Sequence, residues 1–215
     1  AQELDAQGKF PKDIVNQMAE LGILGIPVPE EYGGAGMDTV AYTAAVIELA
    51  KVDASLAITM AAHTSLGTMP IVLSGTEEQK KKYLTQLTSG EKIGAFAGTE
   101  PNAGSDVAGI KSTAIKKGDK YILNGSKTWI TYAQVADVGI IYAYTDASKK
   151  HKGMSAFIVD MQSDGIRIGS TAEKMGWHAC PTGEIFMDDL EVPSENMLGE
   201  EPSFCKPRER RRNTV

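Results

Sequence analysis

Cysteine is scarce: Cys180 and Cys205 are the only two in 215 residues, and they form no C-x-x-C spacing. That argues against a disulfide-stapled scaffold and against a zinc site, and it fits reduced thiols in a cytoplasmic or mitochondrial-matrix compartment. No apolar run approaches the roughly 18 residues that cross a membrane. The polar, acidic start shows no signal-peptide pattern. Internal repeats and low-complexity linkers are also missing. The net charge of −6 is unevenly spread, with +4 from Lys206 onward and −10 before it. An acidic body is a poor binder of nucleic acid. Neither a nucleic acid nor a membrane is therefore expected as a partner.

What is present supports a globular protein. Hydrophobic residues make up 42% and charged residues 23% of the chain, enough for a buried core in one large or two small domains. Residues 1–91 read as helices. Pro11 suits a first helical position, Ile14, Val15, Met18 and Leu21 follow at helical spacing, and Gly22 suits the cap beyond. Asp38 is expected to cap a helix through Ala50, Asp53 one to about Ser65, and Thr76 to Gln79 a capping box for a helix ended by Gly90.

From residue 92 to 199 the segments become short, β-branched and aromatic. Strands are expected over 112–116, 120–123, 138–145, 154–161, 166–170 and 184–187. Lys117-Gly118-Asp119 marks a hairpin and Asn124-Gly125 a further turn. This pattern predicts an α+β chain: an all-helical first domain, then an antiparallel β-barrel or sandwich. Residues 200–215 lack apolar periodicity and read as a basic, disordered tail.

Several residues invite a chemical reading. Glu30 to Gly36 is glycine-rich, but without a preceding strand or a following Gly-Lys-Ser/Thr it reads as a tight turn. The run Phe96-Ala97-Gly98-Thr99-Glu100-Pro101-Asn102-Ala103-Gly104-Ser105-Asp106 joins backbone-permissive glycines to hydroxyls. Such a ribbon can meet the mixed donors and acceptors on a polar ring edge, or simply be a bonded loop. Trp129 and Thr131 are two apart, hence on one face of a strand, where an indole could lie flat on a ring and a hydroxyl could bond a ring nitrogen; an ordinary core tryptophan fits the same pattern. His63 reads as a satisfied core residue. His178 and Cys180 could form a nucleophile pair, though no orienting partner is evident. Asp188 and Asp189 read as a solvated edge.

Taken together, Thr99 to Asp106, Pro29 to Gly34, Ala62 to Leu66, Gly75 to Lys80, Asn124 to Lys127, Lys152 to Val159 and Val192 to Gly199 resemble the acyl-CoA dehydrogenase family, most nearly its short-chain, butyryl-CoA-type members. The resemblance covers residues 1–199. It implies a helical domain, a β domain and a C-terminal four-helix bundle that these residues stop short of. It implies FAD as cofactor, contacted by Phe96, Ala97, Gly98, Thr99, Ser105, Trp129, Ile130 and Thr131. Thr99 would bond the pyrimidine side of the ring, Thr131 would lie near N5, and Ser105 would also touch the CoA portion of the substrate. The implied reaction is α,β-dehydrogenation of an acyl-CoA, with electrons passed to an electron-transfer flavoprotein, in a homotetramer. The family's catalytic glutamate lies in the bundle, so no catalytic base is assigned here. A non-catalytic flavin- or acyl-CoA-binding fragment and an acyl-CoA oxidase-like enzyme are the competing readings. Gly98, where the family has Leu or Val, and Tyr132, where it has Asn, depart from its pattern.

Overall fold

The computed structural model describes residues 2–199. The basic tail expected over 200–215, with Cys205, lies outside the described residues. The first half is helical: α1 Gln2–Gln7, α2 Lys12–Glu20, α3 Thr39–Val52, α4 Ala54–Ala62, α5 Met69–Ser74 and α6 Glu77–Thr88. Local chemistry sets most boundaries. Asp38 accepts from Ala41 N at 2.9 Å and Asp53 from Leu56 N at 3.0 Å, each satisfying an amide that the first turn leaves without a helical partner. Thr76 and Gln79 form the reciprocal capping box. Gly22 takes φ 75° just past α2, the left-handed stop that glycine adopts without a Cβ clash.

The helix after Asp53 does not end near Ser65. It passes through a π-helical segment, His63–Thr68, into α5. The helical stretch Ala54–Ser74 is 21 residues long and apolar enough, by length and composition alone, to span a membrane, which corrects the sequence reading. Here it lies against the core, with His63, Thr64 and Thr68 fully buried and hydrogen-bonded.

The second half forms one eight-stranded sheet: β1 Gly94–Ala97, β2 Thr113–Lys117, β3 Lys120–Thr131, β4 Val138–Tyr144, β5 Met154–Asp160, β6 Ile166–Thr171, β7 Thr182–Pro193 and β8 Met197–Leu198. The order is β6-β7-β3-β2-β4-β5-β8, mostly antiparallel. The exceptions are β1, parallel to β4 from Gly94/Val138 to Ala97/Ile141, and the parallel bridge from Thr113 to Tyr144. The sheet curls on itself, so that Tyr121 of β3 meets Phe157 of β5 with ring centroids 5.1 Å apart. That inner face shares a core with Val15, Met18, Leu24 and Met60 from the helices. The outer face of β4 and β5, through Val138, Ile140, Ala156 and Ile158, packs on Ile71, Leu84 and Leu87. Helices thus pack against both faces of the sheet, in separate apolar clusters. By contrast α3 has no buried residue, and Val40, Ile47 and Val52 stand exposed on it.

Two strand expectations need correction. Asn124-Gly125 is not a turn: β3 continues, and a bulge absorbs the residues as the pairing slips between Leu123 and Gly125. The Asn124 amide donates to Asp189 Oδ1 at 3.0 Å and accepts from Asp189 N at 2.9 Å, so the distortion is shared by both strands. Gly125 lies at φ 145°, and a Cβ there would run into the Ser112 side chain. Asp188 and Asp189 are exposed, but their strand lies between β6 and β3 rather than at an edge.

Candidate functional site

The two segments singled out from the sequence meet in space. Beyond Lys127, paired with Ile185, the β3 ladder slips, and regular pairing with β7 resumes only at Ile130, opposite Gly183. Freed from β7, Thr128 donates its N–H to Thr99 O at 3.0 Å. The bulge shifts the alternation, so that Lys127 and Ile130, three residues apart, are both buried. Trp129 takes φ 58° and is 65% exposed, whereas Ile130 beside it is 1% exposed. A bulky residue with positive φ is uncommon, and an exposed indole held that way presents a flat apolar face at the end of a rigid strand.

The loop that Thr128 bonds is closed by reciprocal backbone bonds between Glu100 and Ala103, both 3.0 Å. Its far side is fastened by Tyr144, whose hydroxyl donates to Ala108 O at 2.8 Å. Ser105 is exposed, and a Cβ at Gly104 would meet nothing within 4 Å, so a ligand has room to approach the backbone there. Thr99, Gly98 and Phe96 are half-buried. The Phe96 ring lies over Gly98: a Cβ there would be 2.9 Å from its Cε1. The ring therefore occupies the space that a larger residue at 98 would claim. Ala97, 0% exposed, and Ile130 belong to the core, so they can offer a ligand only backbone groups.

Thr131 is half-buried at the end of β3. With Ile58, Ala62, Leu66, Trp177 and Cys180 it lines a cleft of about 410 Å³ between α4, the π-helical segment and the 174–182 stretch. None of the lining residues carries a carboxylate. The 174–182 stretch is well braced: Lys174 Nζ donates to Cys180 O at 2.8 Å, and His178 N donates to Asp5 Oδ1 at 3.1 Å. Tyr132 N donates to Pro181 O at 2.8 Å. Tyr132 sits at φ 70°, a conformation in which Asn is several-fold favoured among non-glycine residues, and its ring is fully buried against Phe10 at 5.7 Å.

His178 and Cys180 do not form the nucleophile pair that their spacing allowed. His178 Nδ1 pairs with Asp5 Oδ2 at 3.0 Å, and Nε2 meets Lys174 O at 2.7 Å. The hydrogen bond and charge of Asp5 raise the imidazole above its usual value, while burial pushes the Cys180 thiol up. With both ring nitrogens engaged elsewhere and the thiol held toward its neutral form by burial, the imidazole is not placed to activate Cys180. His63 is the satisfied core residue expected. Its Nδ1 accepts from Gly94 N at 3.0 Å, so Nε2 carries the proton and donates to Leu87 O at 2.9 Å.

The sequence reading missed Glu100 and Lys127. Lys127 is 0% exposed, and its Nζ donates to Glu100 Oε1 at 2.8 Å. The same carboxylate accepts from Ser112 Oγ at 2.6 Å, Ser112 N at 3.0 Å and Lys111 N at 2.6 Å. Burial would raise the Glu100 carboxyl, but the bonds from Lys127, Ser112 and Lys111 outweigh it and hold it below the usual range. Burial lowers the Lys127 ammonium, and the Glu100 contact offsets this only in part. A lysine on the inward side of a strand was the one available signal.

Among the described residues no cluster of His, Cys, Asp or Glu could hold a metal ion. An exposed indole, next in the chain to the residue that bonds a glycine-bearing, hydroxyl-lined loop, instead suits a flat organic ring with polar edges. The comparisons agree in kind. Residues 1–91 match the family model for the acyl-CoA dehydrogenase N-terminal domain, and residues 95–190 that for its middle domain. The chain is 46% identical to the caffeyl-CoA reductase-Etf complex subunit CarC of Acetobacterium woodii, covering 92% of this chain and 52% of that protein. It resembles butyryl-CoA dehydrogenase from Megasphaera elsdenii with a TM-score of 0.90 at 45% identity, over 94% of this chain and 54% of that one. It also resembles a Bacillus anthracis acyl-CoA dehydrogenase complexed with FAD, with a TM-score of 0.82 at 44% identity, over 88% and 32%. The chain spans about half the length of the curated relatives it matches.

Proposed function

The chain belongs to the acyl-CoA dehydrogenase family, and from that premise we propose that it forms the flavin-facing half of an FAD-dependent enzyme that desaturates short-chain acyl-CoA thioesters between the α and β carbons. One observation carries the reading: the Thr128–Thr99 hydrogen bond joins the hydroxyl-bearing loop to the strand end that displays Trp129. FAD, when bound, supplies the acceptor for the β hydrogen and its electron pair. The residues of this chain hold and shield it. Trp129 excludes water from one face. Thr99 and Thr131 offer hydroxyls to ring heteroatoms, and Ser105 with the open backbone at Gly104 faces the polar parts of cofactor and CoA. The apolar cleft beside Thr131 accepts a short acyl chain.

Proton removal from the α carbon needs a base, and the cleft lining contains no carboxylate. The base is therefore assigned to chain beyond the described residues, in keeping with the family's glutamate. An electron-transfer flavoprotein as acceptor is supported by the Etf-complex relative. The test is to purify the intact protein, assay its FAD, and add butyryl-CoA anaerobically. Bleaching of the flavin with release of the 2-enoyl-CoA is expected. An intact protein that carries FAD yet is not reduced by any acyl-CoA contradicts the catalytic reading, and rapid reoxidation by oxygen points to an oxidase.

A further inference from the structure

We propose that Glu100 and Lys127 are positioning residues that fix Thr99 and Trp129 relative to each other, and so set the geometry of the flavin berth. The inference rests on the reading above that the berth binds FAD.

The argument starts from what the sheet fails to do. Thr128 and Trp129 fall in the bulge between Lys127/Ile185 and Ile130/Gly183, where the regular register with β7 is interrupted. Trp129 nevertheless keeps a positive φ that bulky side chains avoid. Such a conformation persists only where its surroundings over-determine it. On the C-terminal side the anchor is buried Ile130. On the N-terminal side it is Lys127, two residues before the indole and fully buried.

Lys127 is held by Glu100, the residue next to Thr99. Glu100 in turn draws in the backbone and hydroxyl of Ser112 and the backbone of Lys111. One buried carboxylate therefore ties together three segments: the loop, the approach to β2, and the bulged end of β3. The Thr128–Thr99 backbone bond lies alongside, and the two connections set both the distance and the rotation between loop and strand.

Strength alone does not explain this arrangement. A buried ion pair is often no more stabilising than two well-packed apolar side chains of the same volume. What apolar residues cannot provide is a directed, charge-assisted anchor, because their packing tolerates sliding. A displacement of about 1 Å at a ligand-positioning element can cost on the order of 100-fold in function.

The experiment compares the intact wild-type protein with the neutral, near-isosteric double variant E100Q/K127M. FAD affinity is read by titration, flavin geometry by visible circular dichroism of the bound flavin, and folding by thermal unfolding without FAD. The expected result is a double variant that unfolds within a few degrees of wild type, binds FAD about 10-fold or more weakly, and shows an altered visible spectrum. A purely structural pair would move the unfolding midpoint and leave the spectrum of the bound flavin alone. Should the double variant not fold, Ser112→Ala carries the test, since it removes only the 2.6 Å hydroxyl bond to Glu100. Weaker binding with the same spectral change is then expected. Wild type that binds FAD beside a folded variant of equal affinity and spectrum overturns this inference alone. Wild type that takes up no FAD overturns the underlying reading as well.

Discussion

His63 Nδ1 accepts the amide hydrogen of Gly94 at 3.0 Å, which ties the π-helical segment to the first residue of β1, the strand that leads into the Phe96–Thr99 run. The imidazole is completely buried, and burial depresses it to about 4, outweighing the bond to Leu87. Its folded-state value lies below the unfolded one, so the unfolded chain binds more protons between the two. Stability is therefore retained above about pH 6.5 and falls as the pH drops toward 4. The loss from this one group is about 3 kcal/mol. Urea midpoints at pH 7.5, 5.5 and 4.5 should fall steadily, and His63→Asn should flatten most of that slope. An unchanged slope in the variant would remove the assignment.

The Asp5–His178 bridge has the opposite alkaline sign. Asp5 raises His178, so its contribution is fully present below the unfolded histidine value and is lost as pH rises through the raised one. On the acid side, hydrogen bonds from His178 lower Asp5, so that part is lost as pH falls through the depressed carboxylate value. Both side chains are well exposed, and the global effect will be small. The local effect is clearer: Asp5→Asn should speed hydrogen exchange at Ala179 and Cys180, most visibly at neutral pH and below. Identical exchange in variant and wild type would mean that α1 does not brace the cleft wall.

The buried Tyr132 hydroxyl makes no well-formed hydrogen bond, although the Thr59 and Cys180 side chains lie near it. An unmatched buried hydroxyl costs about 1–3 kcal/mol. Tyr132→Phe should therefore be as stable as wild type or more so, whereas Tyr132→Ala, which empties the space beside Phe10, should lose about 3–5 kcal/mol. Chemical denaturation of the two variants decides the matter. A destabilised Phe variant would reveal a partner for the hydroxyl.

What the sequence made legible was local. Asp38, Asp53 and Thr76 announce their helices because a cap is a bond over three residues. The hairpin at Lys117–Asp119 is likewise a short-range signal. The misreadings are non-local. Asn124-Gly125 looks like a turn until Asp189, 65 residues away, pairs with Asn124. Trp129 reads equally well as a core indole until the bulge before Ile130, which only the pairing with β7 reveals, leaves it exposed. Glu100 and Lys127 stand in separate sequence motifs, and only the fold reveals that their charges meet. The parallel pairing of β1 with β4 has no local signature at all.

The cleft beside Thr131 gives a functional prediction. Ala62 lies on its wall, so Ala62→Leu should fill part of the space. The expected outcome in the intact enzyme is a KM for butyryl-CoA raised about 10-fold, with FAD content unchanged, since losing room for about two methylenes at roughly 0.8 kcal/mol each costs about 1.6 kcal/mol. An unaltered KM would place the acyl chain elsewhere.

The central claim is that Trp129 forms one wall of a flavin site, and a fluorescence titration tests it most directly. FAD is added to the apo form of the intact protein as wild type, Trp129→Phe and Trp177→Phe, while the indole emission is followed. The account predicts strong quenching at stoichiometric FAD in wild type and in Trp177→Phe, and loss of most of that quenching, with weakened binding, in Trp129→Phe. Full quenching and unchanged affinity in Trp129→Phe would contradict it.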